Sequence, residues 1–217
     1  MKIKILYDDA PGVKGMIPSH GFSCLIDKEV LFDAGWDSSI LLKNALFAGI
    51  DLAGIKKMVI SHAHWDHMGS LPALLPFDKR SDKTVYFPSA TVNMRKELEK
   101  RANLITEKEP VAVTEDIYTT GLMGKDIEEQ ALVIKGRQGL VILTGCAHPG
   151  VAEIIERARK LFGDDIYALI GGLHDFRDLE LLKDIKLIAP CHCTVEKERI
   201  LKESKSLRCG VGTEIEV

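Results

Sequence analysis

The sequence predicts an α/β fold in which a β-sandwich carries helices on both of its outer faces. Short apolar runs typical of strands occur in both halves of the chain, and each strand-rich half is followed by amphipathic runs typical of helices. The chain has 217 residues, of which 46% are hydrophobic, and this is enough for the core of one domain. We therefore expect a single domain over residues 1–217.

The first half of the chain contains five predicted strands and three predicted helices. The strands are expected at residues 2–6, 23–26, 30–32, 57–60 and 84–87. The helices are expected at residues 37–47, 67–75 and 93–100. Asp37 is the predicted N-cap of the first helix, and Ile40 and Leu41 begin its apolar face. The third helix is highly charged, which indicates a solvated face and not a binding patch.

The second half begins with a predicted hairpin. Residues 131–135 and 140–144 are apolar, and Gly136-Arg137-Gln138-Gly139 separates them as a short turn would. Helices and strands then alternate, with helices expected at 152–162, 179–184 and 195–203, and strands at 166–170 and 186–188.

Four potential metal ligands lie in one short run, Ser61-His-Ala-His-Trp-Asp-His-Met-Gly-Ser70, directly after a predicted strand. In an extended backbone, residues two apart point to the same side, so His62 and His64 can bind one ion together. Asp66 and His67 are adjacent and turn away from that pair, so they can face a second ion or orient the first. Imidazole and carboxylate ligands without a thiolate suit zinc, iron or manganese in an open catalytic site.

Two later histidines also follow apolar runs. His148 lies in Gly145-Cys-Ala-His-Pro-Gly150, and His192 lies in Pro190-Cys-His-Cys-Thr194. Histidines placed just past strand ends can gather as ligands at one rim of a strand scaffold. Alternation would point Cys191 and Cys193 away from the side used by His192, so we expect buried or supporting thiols there. A C-x-C metal site is the alternative.

The H-x-H-x-D-H run resembles the metal-binding motif of the metallo-β-lactamase superfamily. This resemblance implies a four-layer αββα sandwich of the α/β class. Asp33, in Val30-Leu-Phe-Asp-Ala-Gly35, matches the aspartate that closes an early strand in this family and supports the metal loop without binding metal. The motifs around His148 and His192 are similar to the two later histidine motifs of the family.

The chain is also similar to a narrower branch of that superfamily, which includes the archaeal dihydropterin–ribofuranosylaminobenzene phosphate synthases. Besides the blocks around His148 and His192, the similarity lies in Gly21-Phe-Ser-Cys-Leu-Ile26, Gly171-Gly-Leu-His174 and Gly210-Val-Gly-Thr213. Those synthases join a pterin to an aminobenzene riboside phosphate, and many other members are known only as metal-dependent hydrolases. The segment between His67 and Gln130 is shorter than expected of the synthases, so these motifs specify the branch and not the substrate.

The chain departs from the superfamily at the aspartate that usually bridges two metals. Cys146 follows the corresponding strand, and no carboxylate appears until Glu153. His148 can therefore take the place of the third histidine or that of the bridging acid, and His174 with Asp175 can supply the missing ligand. A mononuclear site and a dinuclear site bridged only by water both stay open.

The expected cofactor is one or two divalent ions, with zinc expected and iron or manganese as alternatives. The first ion is assigned to His62, His64 and His148, and the second to Asp66, His67 and His192. A metal held by neutral imidazoles keeps its positive charge and lowers the pKa of bound water from about 15.7 toward about 7. Asp66 is expected to orient that water or accept its proton, and His174 is the second catalytic candidate.

The function expected from these features is hydrolysis of a phosphoester, lactone or similar bond in a small molecule. A pterin-linked transferase and a non-catalytic metal or ligand-binding protein are the alternatives, and iron-based redox chemistry is disfavoured because the flavodiiron branch has Glu in place of His64. Trp36 and Trp65 could stack on a flat ring such as a pterin, or pack at the core or rim.

Composition bears on the expected partners, the cell compartment and the source of the protein. The net charge of −3 gives no basic footprint for nucleic acid. No run approaches a membrane-spanning length, and the start shows no signal peptide. Five cysteines, an odd number, then suggest reduced thiols in the cytoplasm. Asn and Gln are few, whereas 28% of the residues are charged, and this balance suggests a thermophilic source.

Overall fold

The computed structural model describes residues 1–163, 165–203 and 205–217. The chain forms two compact units. The first comprises residues 1–108 and 210–216, and the second comprises residues 109–209 together with residue 217. Each unit has its own β-sheet and its own cluster of buried apolar side chains. The expectation of one domain over residues 1–217 stays a prediction.

The sheet of the first unit has seven strands. They are β1 (Lys2–Tyr7), β2 (Ser23–Ile26), β3 (Val30–Phe32), β4 (Lys57–Val59), β5 (Thr84–Tyr86), β6 (Asn103–Ile105) and β12 (Glu214–Glu216). Their order across the sheet is β12-β1-β2-β3-β4-β5-β6. The strands from β3 to β6 run parallel to one another, whereas β12, β1, β2 and β3 pair antiparallel. Consequently β3 and β4 end at the same edge of the sheet.

Three helices belong to the first unit: α1 (Ser38–Phe47), α2 (Trp65–Met68) and α3 (Val92–Glu99). The side chain of Asp37 caps α1 by accepting the N–H groups of Ser39 and Ile40, as predicted from the sequence. The prediction of one helix over residues 67–75 is wrong. Here α2 ends at Met68, and a separate 3₁₀ turn follows at Leu71–Leu74 with Pro72 in its first turn, where proline cannot continue the hydrogen bonding of an α-helix.

The described residues of the second unit form a five-stranded sheet and two α-helices. The strands are β7 (Ile117–Thr119), β8 (Leu132–Gly136), β9 (Gly139–Thr144), β10 (Ile166–Gly172) and β11 (Leu187–Cys191), in the order β11-β10-β9-β8-β7. The helices are α4 (Val151–Phe162) and α5 (Lys197–Glu203). The predicted hairpin is confirmed as the antiparallel pair β8–β9. The helix predicted at 179–184 is a short 3₁₀ turn at Leu179–Leu182.

Helix α4 shows how the sequence pattern produces packing in this unit. Its buried residues Val151, Ile154, Ile155 and Ala158 follow the spacing of one helical face. These residues belong to the apolar cluster of the second unit, and α4 packs against β9. In the part of the chain that the structure describes, no helix is long and apolar enough to span a membrane.

The predicted functional motifs lie at the ends of parallel strands. In the first unit, Asp33 follows β3 and His62 lies in the loop after β4. In the second unit, β9, β10 and β11 are parallel, and His148, His174 and His192 lie in the loops after them. Because the carboxyl ends of parallel strands share one edge of a sheet, each unit presents its motifs along one edge.

Candidate metal-binding sites

The loop after β4 brings two imidazole rings into contact. His62 Nε2 lies 3.0 Å from His64 Nδ1. Two ligands of a tetrahedral ion with metal–nitrogen bonds of about 2.0–2.1 Å are roughly 3.3 Å apart, so the two nitrogens fit a shared ion with little movement. His62 is fully buried and His64 is exposed, so the pair joins the core of the first unit to its surface.

Asp33 holds this loop through hydrogen bonds to Ser61. Its carboxylate is fully buried and accepts the N–H of Ser61 at 2.7 Å and the hydroxyl of Ser61 at 2.8 Å. Since the hydroxyl proton is donated to Asp33, Ser61 Oγ accepts from His62 Nδ1, which lies 2.8 Å away. His62 therefore carries its proton on Nδ1 and presents the lone pair of Nε2 toward His64. Ser61 was not among the predicted site residues.

Asp33 also fixes His67. His67 Nδ1 lies 2.7 Å from Asp33 Oδ2, and both side chains are fully buried. A carboxylate accepts only, so Nδ1 is the donor and Nε2 is the atom available to a metal. That Nε2 atom lies 3.6 Å from Asp66 Oδ2. Asp66 also contacts His20, whose Nε2 is 3.3 Å from the same oxygen, although the sequence reasoning did not select His20.

A second buried carboxylate, Glu129, holds the loop that carries His148. Its Oε1 atom accepts the N–H groups of Gly145, Cys146 and Ala147 at 2.9–3.1 Å, and its Oε2 atom accepts the N–H of His148 at 2.9 Å. Glu129 is fully buried. Four consecutive backbone donors converging on one carboxylate fix the direction in which this loop leaves β9. The sequence reasoning missed Glu129.

The thiols of the second unit fall into two groups. Cys146 Sγ, Cys193 Sγ and a ring nitrogen of His192 all lie within 4.8 Å of one another. The expectation that Cys193 points away from His192 is therefore wrong, because β11 ends at Cys191 and His192 has a φ angle of 42°, which breaks the alternation of an extended chain. Cys191 does point elsewhere, since its Sγ contacts Cys209 Sγ at 2.9 Å.

His174 lies in the loop after β10 and is half-exposed. Its ring centroid is 5.0 Å from that of His148, and its Nδ1 is 3.6 Å from Asp175 Oδ1. The side chain of Asp175 is 80% exposed, so its interaction with His174 is screened by solvent.

Backbone strain marks the same loops. Asp33, Ala147, His174 and His192 have φ angles of 56°, 60°, 46° and 42°, in the left-handed region that residues other than glycine rarely adopt. Such residues cost about 1–3 kcal/mol each and persist where the surrounding structure holds them, as at functional sites.

Comparison with known proteins places these features in a family. The family model described as the β-lactamase superfamily domain matches residues 28–126, which include Asp33 and the whole histidine run. The crystal structure of a metal-dependent hydrolase of the β-lactamase superfamily is 28% identical, has a TM-score of 0.79, and is matched over 100% of this chain and 99% of that one. The predicted resemblance of the chain to the metallo-β-lactamase superfamily is thereby confirmed. The predicted fold class, a metallo-β-lactamase-like α/β sandwich, is thereby confirmed.

Two relatives of this protein come from Methanocaldococcus jannaschii. An uncharacterized protein is 28% identical over 209 aligned positions, and the match covers 79% of this chain and 78% of the relative. The 7,8-dihydropterin-6-methyl-4-(β-D-ribofuranosyl)-aminobenzene-5'-phosphate synthase is 24% identical over 260 aligned positions, with 89% and 87% covered. The predicted similarity to the synthase branch is confirmed by this second relative.

Two clefts adjoin the predicted ligands. In the first unit, Trp65 lines an apolar cleft together with Met68, Leu71 and Met94. Trp65 is 60% exposed and Trp36 is 57% exposed, so neither indole is a core residue. In the second unit, a cleft beside His148 is lined by Lys125, Asp126, Glu153 and Arg157, among others. It therefore offers charged groups of both signs to a polar substrate.

Proposed function

We propose that this protein is a metal-dependent hydrolase that acts on a small phosphoester, lactone or related substrate. The observation that carries the proposal is the set of hydrogen bonds by which Asp33 holds Ser61 and His67, and through Ser61 also His62. It assigns the proton of His62 to Nδ1 through Ser61 and that of His67 to Nδ1 directly, so both rings present the lone pair of Nε2, the form in which an imidazole binds a metal. A carboxylate behind a histidine is the usual support of a metal ligand.

The donor set suits a divalent metal in a catalytic site. His62 and His64 offer nitrogens at ligand spacing, and Asp66 and His67 add a carboxylate oxygen and a third imidazole in the same unit. Such nitrogen and oxygen donors bind zinc, iron and manganese, with zinc our first choice. We retain the sequence-based assignment of His148 to the ion of His62 and His64, and of His192 to the ion of Asp66 and His67, as part of the proposal.

When bound, a divalent ion lowers the pKa of its water ligand and polarises the oxygen of the bond to be cleaved. The protein contributes orientation and proton handling. Asp66, whose side chain is 16% exposed, can accept a proton from the attacking water or hold it in line. His174 is exposed at the end of β10 and is the candidate donor of a proton to the leaving group. The buried Asp33 keeps the ligand rings in one orientation throughout.

A pterin-linked transferase is the second candidate function. It is supported by the 24% identical synthase relative, which this chain matches over 89% of its length. The exposed indoles of Trp36 and Trp65 offer flat surfaces on which a pterin ring could stack, with typical gains of about 0.5–1.5 kcal/mol for aromatic pairs. The cytoplasm is the proposed setting, because no disulfide joins the five cysteines, all of which the structure describes.

Metal analysis and a substrate screen test the proposal. Purified protein should contain divalent metal and hydrolyse at least one of a phosphodiester, a lactone and a thioester, and chelator should abolish this activity. Incubation with a pterin diphosphate and ribofuranosylaminobenzene phosphate tests the transferase. Condensation of these two substrates without ester hydrolysis would replace the first candidate by the second. Bound metal without turnover of any substrate would favour a non-catalytic binding protein.

A further inference from the structure

A loop of the first unit places His20 between two carboxylates. His20 Nδ1 lies 3.4 Å from Asp9 Oδ2, and His20 Nε2 lies 3.3 Å from Asp66 Oδ2. The side chain of His20 is 67% exposed, whereas that of Asp66 is only 16% exposed. The imidazole therefore covers Asp66 from the solvent side.

The backbone directly after His20 is hydrogen-bonded to the same two aspartates. Gly21 donates its N–H to Asp9 Oδ1 at 3.0 Å, and Phe22 donates its N–H to the carbonyl oxygen of Asp66 at 3.1 Å. Gly21 has a φ angle of 130°, and a Cβ atom at this position would lie 2.3 Å from the Asp66 carbonyl oxygen. Only glycine allows this approach, so the sequence itself fixes the loop against Asp66.

His20 repeats the arrangement of His67. Each ring has a carboxylate beside Nδ1, Asp33 for His67 and Asp9 for His20, and each directs Nε2 toward Asp66 Oδ2. When Nδ1 donates its proton to the carboxylate, Nε2 carries a lone pair. Two acceptors 3.3 Å apart are stabilised by a cation between them, and this spacing equals the separation of roughly 3.3 Å expected for two ligands of one tetrahedral ion.

We propose that His20 is a further metal ligand, which binds the ion that Asp66 binds, and that Asp9 is the positioning residue for its ring. This inference rests on the proposed function, in which Asp66 holds a divalent metal. It adds a neutral ligand to the second ion, for which the chain lacks the usual bridging aspartate. Asp9 plays the part for His20 that Asp33 plays for His67.

Metal-binding measurements on four proteins test this role. Apoprotein is titrated with Co²⁺ for the wild type, His20→Ala, Asp9→Asn and Lys14→Ala, and the stoichiometry, the visible absorption of bound Co²⁺ and its release rate to chelator are recorded. Lys14 is the matched control because it is an exposed residue of the same loop. We expect His20→Ala to weaken binding of the second ion, the one assigned to Asp66, at least about 10-fold and to change the absorption. Asp9→Asn should weaken it about 10-fold, and Lys14→Ala should match the wild type.

The outcomes separate this inference from the proposed function. If the wild type binds metal and His20→Ala has the same stoichiometry, absorption and release rate, the inference is overturned while the hydrolase proposal stands. If His20→Ala loses activity with unchanged metal binding, His20 contacts substrate and is not a ligand. If the wild type binds no metal, both proposals fail. Circular dichroism of each variant identifies any loss that comes from misfolding.

Discussion

Glu129 offers a direct test of how the His148 loop is held. Its carboxylate accepts four consecutive backbone N–H groups, three through Oε1 and one through Oε2. Glu129→Gln keeps the shape but replaces one acceptor oxygen by an NH₂ donor. Whichever way the amide turns, at least one buried N–H faces another donor. Hydrogen bonds to charged groups contribute about 1.5–3 kcal/mol each, and an unsatisfied buried group costs about 1–3 kcal/mol.

We therefore expect Glu129→Gln to lower the free energy of unfolding by about 2–4 kcal/mol. Each kcal/mol corresponds to about 2–4 °C in a chain of this size, so the melting temperature should fall by roughly 4–16 °C. Urea unfolding and calorimetry measure the two quantities. Glu128→Gln is the matched control, because Glu128 is the exposed neighbour and its replacement should have little effect. Equal stabilities of the two variants would refute the proposed role of Glu129.

Three further predictions concern the metal. Asp33→Asn should lower metal affinity about 10–100-fold, because the NH₂ group of the amide must face either the backbone N–H of Ser61 or the donors Ser61 Oγ and His67 Nδ1. Competition with a chelator measures the change, and an unaltered affinity would contradict the orienting role. Cys191→Ser and Cys193→Ser should each leave metal content near normal, with Cys191→Ser as the control. Metal loss in Cys193→Ser alone would show that the Cys193 thiolate binds metal. Metal should load stepwise, with one tight ion and one readily lost to chelator, because two dications about 3.5–4 Å apart repel without an anionic bridge. Two equally tight ions that survive His174→Ala and Asp175→Ala would instead show a bridge from elsewhere.

Most of the fold could be predicted because its longer elements carry a periodic pattern. Helices α1 and α4 and the hairpin β8–β9 have caps, apolar faces or a glycine-flanked turn that the sequence displays. The sequence analysis missed strands β6, β7 and β12, each of which is three residues long. These strands are defined by their pairing with neighbours.

The residues alone predicted the site where its members are close in sequence, and the supporting role of the distant Asp33 came from the family resemblance. His62, His64, Asp66 and His67 form one run, whereas the contact of His20 with Asp66 joins residues 46 positions apart. Glu129 is likewise separated from the loop it holds, and nothing in the sequence marks it beyond its place three residues before β8. Such pairs are created by the strand pairing and loop closure of the folded chain, so no local pattern reveals them.

Metal content of the histidine-run variants is the most direct test of whether His62 and His64 bind metal. Wild type, His62→Ala, His64→Ala and Trp65→Ala are purified in parallel, and metal per chain is measured together with circular dichroism. We expect one or two ions per chain in the wild type and in Trp65→Ala, because the exposed indole is not a ligand. We expect both histidine variants to lose most of their metal. Their fold should persist, because the apolar core of the first unit does not depend on these rings. Unchanged metal stoichiometry in both His62→Ala and His64→Ala would contradict the account.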